Sequence, residues 1–318
     1  MTEPTEPTEP TATPDSDADA PNTRAGYVAL LGRPNVGKST LLNRLLAFKL
    51  SITSPKPQTT RHTILGIRTL ADTQIVYVDT PGLHLNGRKA MNRYMNRAAG
   101  NVLGYVDAVV FVIEALRWTD EDAAVLERLA DYAGPVLLAV NKVDRVTDKP
   151  KLLPFLQQMA EKRAFAAIVP LSAQKGTNDA ALETEIAKHL PANPFFFDED
   201  QITTASKRFL AAELVREKLT RVLSDELPYA LTVEIEKFEV EGRLHRISAV
   251  IWVERKGQKA IVIGDKGGTL KEAGRLARLD MEEMFDAKVH LETWVKVREG
   301  WSDDEKALRS LGFDESED

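Results

Sequence analysis

Hydrophobic positions follow two different rules along the chain. Over the first two thirds, short apolar runs alternate with glycine loops and with stretches whose apolar residues recur three and four apart. YVALLG (27–32) reads as a buried strand and KSTLLNRLLAF (38–48) as the helix after it. ILGIRTL (64–70) and QIVYVD (74–79) predict a hairpin, and DAVVFVIEA (107–115), PVLLAV (135–140) and AIVPLS (167–172) are further strands separated by helical stretches. Runs that are apolar throughout, rather than alternating, mark parallel strands buried on both faces. The pattern therefore predicts a doubly wound α/β domain over residues 25–190.

PANPFFFDED (191–200) opens a linker, residues 191–201, after which the order of elements changes. A long helix (203–223) precedes two strands (230–240 and 245–255), then RKGQKAIVI, which reads as a short helix. A glycine loop, a helix over 268–285 and a strand over 288–297 complete it. This order predicts a smaller α+β domain, residues 202–302, with a short, mostly antiparallel sheet.

Composition narrows the picture. The 318 residues are too many for one core and suit two domains. The absence of cysteine excludes disulfides and thiolate metal sites, which fits a reducing compartment. No run approaches the roughly 20 apolar residues of a membrane span. The start of the chain, MTEPTEPTEPTATPDSDADAPN, lacks the features of a signal peptide and reads as a disordered acidic tail over 1–24. Six of the acidic residues lie in that tail and seven in the acidic C-terminal segment 303–318. Despite a net charge of −6, the body between them is mildly basic, which neither demands nor forbids an RNA partner.

Two glycine loops carry the candidate chemistry. GRPNVGKST (32–40) matches G-x-x-x-x-G-K-[ST] between a strand and a helix. Its glycines let backbone N–H groups wrap phosphates, so Gly32, Asn35, Val36, Gly37, Lys38, Ser39 and Thr40 are candidate nucleotide contacts. Lys38 suits the β- and γ-phosphates and the Ser39 hydroxyl suits Mg²⁺. DTPG (79–82) ends a strand, placing Asp79 to organise Mg²⁺ through water, with Gly82 a further candidate catalytic residue. NKVD (141–144) follows another strand at the carboxyl edge of the sheet, where ligands bind. There Asp144 can accept from guanine N1–H and its exocyclic amine, a donor pair that adenine lacks. Lys142 can lie along the base, Asn141 can tie this loop to the phosphate loop, and in SAQKG (172–176) Ser172 precedes Ala173, whose N–H suits guanine O6. Four elements in this order make a GTP and GDP site.

With these motifs intact the sequence resembles the translation-factor-like GTPases, and SITSPKPQTTRHTILGI (51–67) resembles switch I of the Era family. By that resemblance a threonine of the Thr59–Thr60 pair closes onto Mg²⁺, with Thr60 favoured. Ras-like GTPases orient the attacking water with a glutamine just after DTPG. Here Leu83 stands there, so slow intrinsic turnover is expected, and His84 reads as a cap of the loop or a base. Asn35 matches the asparagine that helps bind potassium in related GTPases, or it is a turn residue.

The second loop, IVIGDKGGTLKEAG (261–274), lacks the Lys-Ser pair. Helix, strand, strand, helix, G-x-x-G, helix, strand is the arrangement of a type II KH domain, whose loop clamps single-stranded nucleic acid. Gly264, Asp265, Lys266 and Gly267 form the clamp, Lys259 and Lys271 flank it, and Ile261, Val262 and Ile263 offer apolar surface to bases. Asp265 places a negative charge inside it. VERKGQKAIVIGDKGGTLKEAG and the segment through SLGF closely resemble the C-terminal part of the Era family. That resemblance implies a cytoplasmic GTPase of 30S subunit assembly and rRNA maturation, binding the 3′ region of 16S rRNA as a monomer, with no DNA partner and a link to the cell cycle. Peripheral membrane association belongs to the same expectation, with Arg88–Lys89 and Lys207–Arg208 as weak basic patches. The alternative is a membrane-associated signalling GTPase whose second domain binds a protein.

Overall fold

The computed structural model describes residues 23–54, 56, 59–82, 89–223 and 227–313. The tail through residue 22, Leu83, His84 and Arg88 after DTPG, and the final acidic residues 314–318 lie outside the described residues. The first domain is a six-stranded sheet in the order β2-β3-β1-β4-β5-β6, formed by β1 (Arg24–Leu31), β2 (Ile64–Thr69), β3 (Thr73–Asp79), β4 (Ala108–Glu114), β5 (Val136–Asn141) and β6 (Ala167–Pro170). Every neighbouring pair is parallel except the β2–β3 hairpin. Inner strands such as VVFVI are buried on both faces, as their unbroken apolar runs require.

One face of the sheet is covered by α1 (Lys38–Leu46) and α5 (Asp179–Ala187), the other by α2 (Ala90–Asn101), α3 (Asp120–Arg128) and α4 (Leu152–Ala160). The amphipathic spacing of LLNRLL buries Leu41, Leu42, Leu45 and Leu46. Thr119 starts α3 with a capping box, its hydroxyl taking the Asp122 N–H while the Asp122 carboxylate takes the Thr119 N–H.

The linker is fastened to the first domain by a buried side chain. Gln74 Oε1 accepts the N–H groups of Phe196 (2.9 Å) and Phe197 (3.0 Å), while its Nε2 donates to Phe197 O at 2.9 Å. Phe196 also stacks on Tyr27, ring centres 5.4 Å apart. Beyond it, Ile202 O accepts from Ile67 N–H, and Thr203 Oγ1 donates to Leu65 O, so the chain covers the open edge of β2.

The second domain comprises α6 (Lys207–Val222), β7 (Leu231–Glu241), β8 (Leu244–Val253), α7 (Lys256–Ile263), α8 (Gly268–Phe285) and β9 (Lys288–Val297). Its sheet has the order β7-β8-β9. β7 and β8 are antiparallel, but β8 and β9 run parallel, so only half of the pairing matches the expected mostly antiparallel sheet. The two helices between them form a crossover, which returns the chain in the same direction. A single cluster of buried apolar residues runs from Val28 and Leu41 in the first domain to Leu214, Ala249 and Ala277 in the second.

The C-terminal residues close back onto the first domain. Trp301, fully buried, packs with Met91, Tyr94 and Met95 of α2 and with Leu308 of α9 (Glu305–Ser310). Acidic residues there act as caps: Asp303 Oδ1 accepts from Ala90 N–H at the start of α2, and Asp304 Oδ1 accepts from Lys306 and Ala307 N–H. His62, within the expected switch I, lies among these rings, stacked on Phe313 at 4.4 Å and edge-on to Phe209 at 5.3 Å. Burial lowers its pKa from 6.5 to about 4; Glu213 opposes this, and Arg216 and Arg61 add to it. A histidine held neutral in the fold and protonated in the unfolded chain withdraws stability as pH falls from about 6.5 toward about 4. Urea midpoints of wild type and His62→Phe, compared between about pH 7 and about pH 4.5, should show a steeper loss in the wild type. Equal slopes would mean that His62 carries no such penalty.

Candidate functional site

The first glycine loop is shaped by contacts that exclude side chains. Gly32 has φ +154°, and a Cβ there would stand 2.4 Å from Val112 O. Gly37 has φ +104°, and its Cβ would meet Asn141 Nδ2 at 2.4 Å. Asn35 is exposed at the turn with φ +64°. Lys38 turns back over the loop, its Nζ donating to Gly32 O (2.9 Å) and Arg33 O (3.2 Å). Burial pulls its pKa down to about 8, against the nearby Asp79 carboxylate. An ammonium so poorly solvated is suited to an anion.

Ser39, Thr60 and Asp79 converge beside Lys38. Ser39 Oγ lies 2.8 Å from Thr60 Oγ1 and donates to Asp79 Oδ2 at 3.0 Å; Ser51 Oγ donates to the same oxygen at 2.9 Å. Thr59 does not join them, its hydroxyl donating to Lys56 O at 2.6 Å. Asp79 is fully buried, which raises its pKa, while Lys38 and the three hydroxyls oppose the shift. Its Oδ1 is buried with no hydrogen-bond partner. One carboxylate with an orphaned oxygen and two hydroxyls fits a hard cation that keeps waters and phosphate oxygens, the usual Mg²⁺ arrangement. Among the described residues no cluster of three or more His, Cys, Asp or Glu offers another metal site. Gly82 completes this corner against Pro34, where a Cβ would stand 3.0 Å from the ring.

Asn141 joins the two loops. Its Nδ2 donates to Val36 O at 2.8 Å, and its Oδ1 accepts from Lys142 N–H (2.7 Å) and Ala173 N–H (3.0 Å). The N–H expected to face guanine O6 is therefore engaged by Asn141 in this structure. Asp144 Oδ1 accepts from Ser172 Oγ at 2.5 Å, which orients the carboxylate. Lys142 Nζ reaches Asn35 O (2.7 Å) and Glu114 Oε2 (3.0 Å). The cleft bounded by Asn35, Thr40, Lys142, Asp144 and Ala173 has a volume of about 730 Å³, within the range of small-molecule sites.

The second loop is open. Gly264 (φ +73°) ends α7, and a Cβ there would fall 2.1 Å from Thr269 Oγ1 and 2.9 Å from Thr269 N. Lys266 (φ +47°) and Gly267 (φ +79°) are also left-handed, and α8 begins directly after them. Asp265, Lys266 and Lys271 are exposed, Lys259 and Ile263 partly so, and Ile261 is 58% exposed. Val262 is not available to bases as expected: it is fully buried, because the turn of α7 that exposes Ile261 directs its neighbour into the core.

Residues 27–142 match the family of 50S ribosome-binding GTPases, and residues 226–302 match the KH domain family. GTPase Era of Pseudomonas syringae pathovar tomato is 60% identical over 295 residues, 93% of this chain and 98% of that protein. GTPase Era of Pseudomonas putida is 61% identical over 291 residues, 92% and 97% of the two chains. The chain belongs to the Era family of GTPases. Two solved structures share its fold at a TM-score of 0.89 and 36% identity, each covering 92% of this chain and 99% of its own. One is Era in complex with MgGDPNP and nucleotides 1506–1542 of 16S ribosomal RNA, and the other is a single-residue variant of Aquifex aeolicus Era bound to GDP and AlF4−.

Much of what positions this Era site was invisible in the motifs. Asn43, within α1, takes the N–H groups of Leu50 and Ser51 on its Oδ1 and gives its Nδ2 to Ser51 O, fixing the start of the expected switch I. Arg33 is buried against Asp122 (3.1 Å) and Glu114 (3.2 Å). Burial would raise the pKa of Glu114, but the hydrogen bonds from Lys142 and Arg33 outweigh it and hold it below the usual range. The switch segment is also gripped from the second domain. Arg61 Nη1 donates to Leu231 O, Arg216 to Thr59 O, and Lys56 to Leu223 O. No helix among the described residues is long and apolar enough to cross a membrane. Of the basic pairs considered for membrane contact, Arg208 donates to the carbonyls of Ile235 and Glu236.

Gly37→Ala should lower guanine nucleotide affinity by about tenfold or more, because a left-handed alanine costs about 1–3 kcal/mol and its methyl displaces Asn141. Equilibrium titration with fluorescent GDP measures this, and unchanged affinity would contradict the role given to the loop.

Proposed function

We propose that this chain is a Mg²⁺-dependent GTP-hydrolysing switch that binds the single-stranded 3′ region of 16S rRNA and acts in the cytoplasm in assembly of the 30S subunit. The observation that carries the reading is the convergence of Ser39, Thr60 and the orphaned Asp79 oxygen beside Lys38, in a chain whose other half presents an open G-x-x-G loop. The solved Era complex with a magnesium nucleotide and 16S rRNA supports assigning both ligands to this chain.

In this reading Lys38 leaves the carbonyls of Gly32 and Arg33 for the β- and γ-phosphates, and the backbone N–H groups of Val36 through Thr40 surround them. Ser39 and Thr60 would hold Mg²⁺, with Asp79 orienting its waters; the ion supplies charge neutralisation on the phosphoryl oxygens. Asp144 selects guanine with the carboxylate oxygen that Ser172 leaves free. Gly82 offers its N–H toward the γ-phosphate. Asn35, exposed at the tip of the loop, would bind potassium as a further source of positive charge; equal turnover in potassium and sodium would exclude this role. Loss of the γ-phosphate releases Thr60, and because the same segment carries Thr59 and Arg61, its release changes the grip of the second domain. At the other end, the Gly264–Gly267 clamp takes the RNA backbone, with Lys259, Lys266 and Lys271 neutralising phosphates and Ile261 and Ile263 against bases.

The test is equilibrium binding of a short RNA from the 3′ end of 16S rRNA to protein loaded with a non-hydrolysable GTP analogue or with GDP. Binding should be tighter with the analogue. Gly264→Ala should weaken RNA binding by about tenfold or more while leaving GDP affinity unchanged, since its methyl would strike Thr269. No RNA binding in either nucleotide state would refute the RNA half of the reading.

A further inference from the structure

The nucleotide cleft has a wall that comes from the other half of the chain. Opposite Asp144 and Lys142, it is bounded by Thr53 and Ser54 of the switch segment and by Thr220 and Arg221 of α6. Arg221 holds this wall together. Its Nε and Nη2 donate to Thr53 O at 3.2 and 3.1 Å, and Nη2 also donates to Thr53 Oγ1 at 3.0 Å. The guanidinium is aimed by Glu217, whose Oε1 accepts from Arg221 Nη2 (2.8 Å) and from Thr53 N–H (3.1 Å). Thr53 is thus gripped at its N–H, carbonyl and hydroxyl by two side chains one helical turn apart on α6.

We propose that Arg221 is a positioning residue of the nucleotide site, clasping Thr53 so that α6 of the RNA-binding half closes the cleft and slows departure of guanine nucleotide. The inference rests on the GTPase reading above and extends it, because it makes nucleotide retention depend on where the second domain sits. The geometry favours a clasp over a simple surface contact on two grounds. The Glu217 side chain is fully buried and cannot swing away, whereas Arg221 is 46% exposed along the cleft and is free to disengage. Glu217 also accepts from Lys49 at 2.6 Å, and Lys49 bridges to Asp280 on α8, the helix that begins at the G-x-x-G loop. Displacement of α8 therefore pulls on the same carboxylate that aims Arg221.

The experiment is stopped-flow release of fluorescent GDP from the full-length protein, chased with excess unlabelled GDP. Arg221→Ala should speed release about fivefold, the scale of one partly exposed charge-assisted contact, with the association rate unchanged. Arg221→Lys should recover part of the retention through a single bond to Thr53 O. RNA affinity should stay at its wild-type value, because Arg221 lies away from the G-x-x-G loop. Release at the wild-type rate from Arg221→Ala overturns the clasp, and so does faster release accompanied by a parallel loss of RNA affinity, which would indicate general loosening. If Arg221→Ala does not fold, Thr53→Val removes one acceptor from the opposite side, and an unchanged rate there overturns the proposal. Wild-type protein that retains no GDP would overturn the clasp and the GTPase reading together.

Discussion

Glu217 sits without solvent exposure between the switch segment and α6, and leaving a carboxylate unpaired there would cost several kcal/mol. It is answered by Lys49, Lys218 and Arg221 and by the N–H of Thr53. Those donors come from both halves of the molecule, so satisfying one charge fixes the position of the other half. Desolvation makes the arrangement sensitive to geometry, because a small displacement removes donors without letting water in. The first glycine loop, the corner formed by Ser39, Thr60 and Asp79, and the loop over 141–144 can each form inside the first domain. Their relation to the Gly264–Gly267 loop depends on this group together with the other contacts between the switch segment and the second domain.

The second junction is built differently. His62, Phe209, Tyr94 and Phe313 bring the switch segment, α6, α2 and the C-terminal segment into one aromatic cluster. Here the contacts are apolar and weakly directional, worth about 0.5–1.5 kcal/mol per ring pair beyond burial. The acidic residues just before it bind helix ends. Asp303 caps α2 and Asp304 caps α9, so part of the negative charge at the end of the chain stabilises local structure. One side of the switch segment is thus held by charge and the other by rings. Ionic strength acts mainly on the first, and pH on the second through His62.

Features set by backbone requirements were legible in the sequence. Left-handed glycines at 37, 264 and 267, the unbroken apolar runs of β4 and β5, and the helix over residues 268–285 follow from local sterics and periodicity. The parallel pairing of β9 was not legible, because strand direction depends on a crossover and not on the strand's own residues. Val262 was misjudged for a related reason: IVI looks uniformly apolar, and only the helical phase separates the exposed residue from the buried one. Asn43, Glu114 and Glu217 belong to no motif, and Ser51 opens the switch I stretch without an assigned role. Their roles come from partners brought close by the fold, such as Ser51 and Asp79, 28 residues apart, or Thr53 and Glu217, 164 apart.

Gln74 holds the backbone of Phe196 and Phe197 from inside the sheet, and Thr203 is bonded to β2. Only the few residues between these anchors and α6 are left to act as a tether. Should the halves part, a leash that short keeps them at an effective concentration in the millimolar range or above. Closure is then a first-order event, set by the chain itself and independent of how much protein the cell contains.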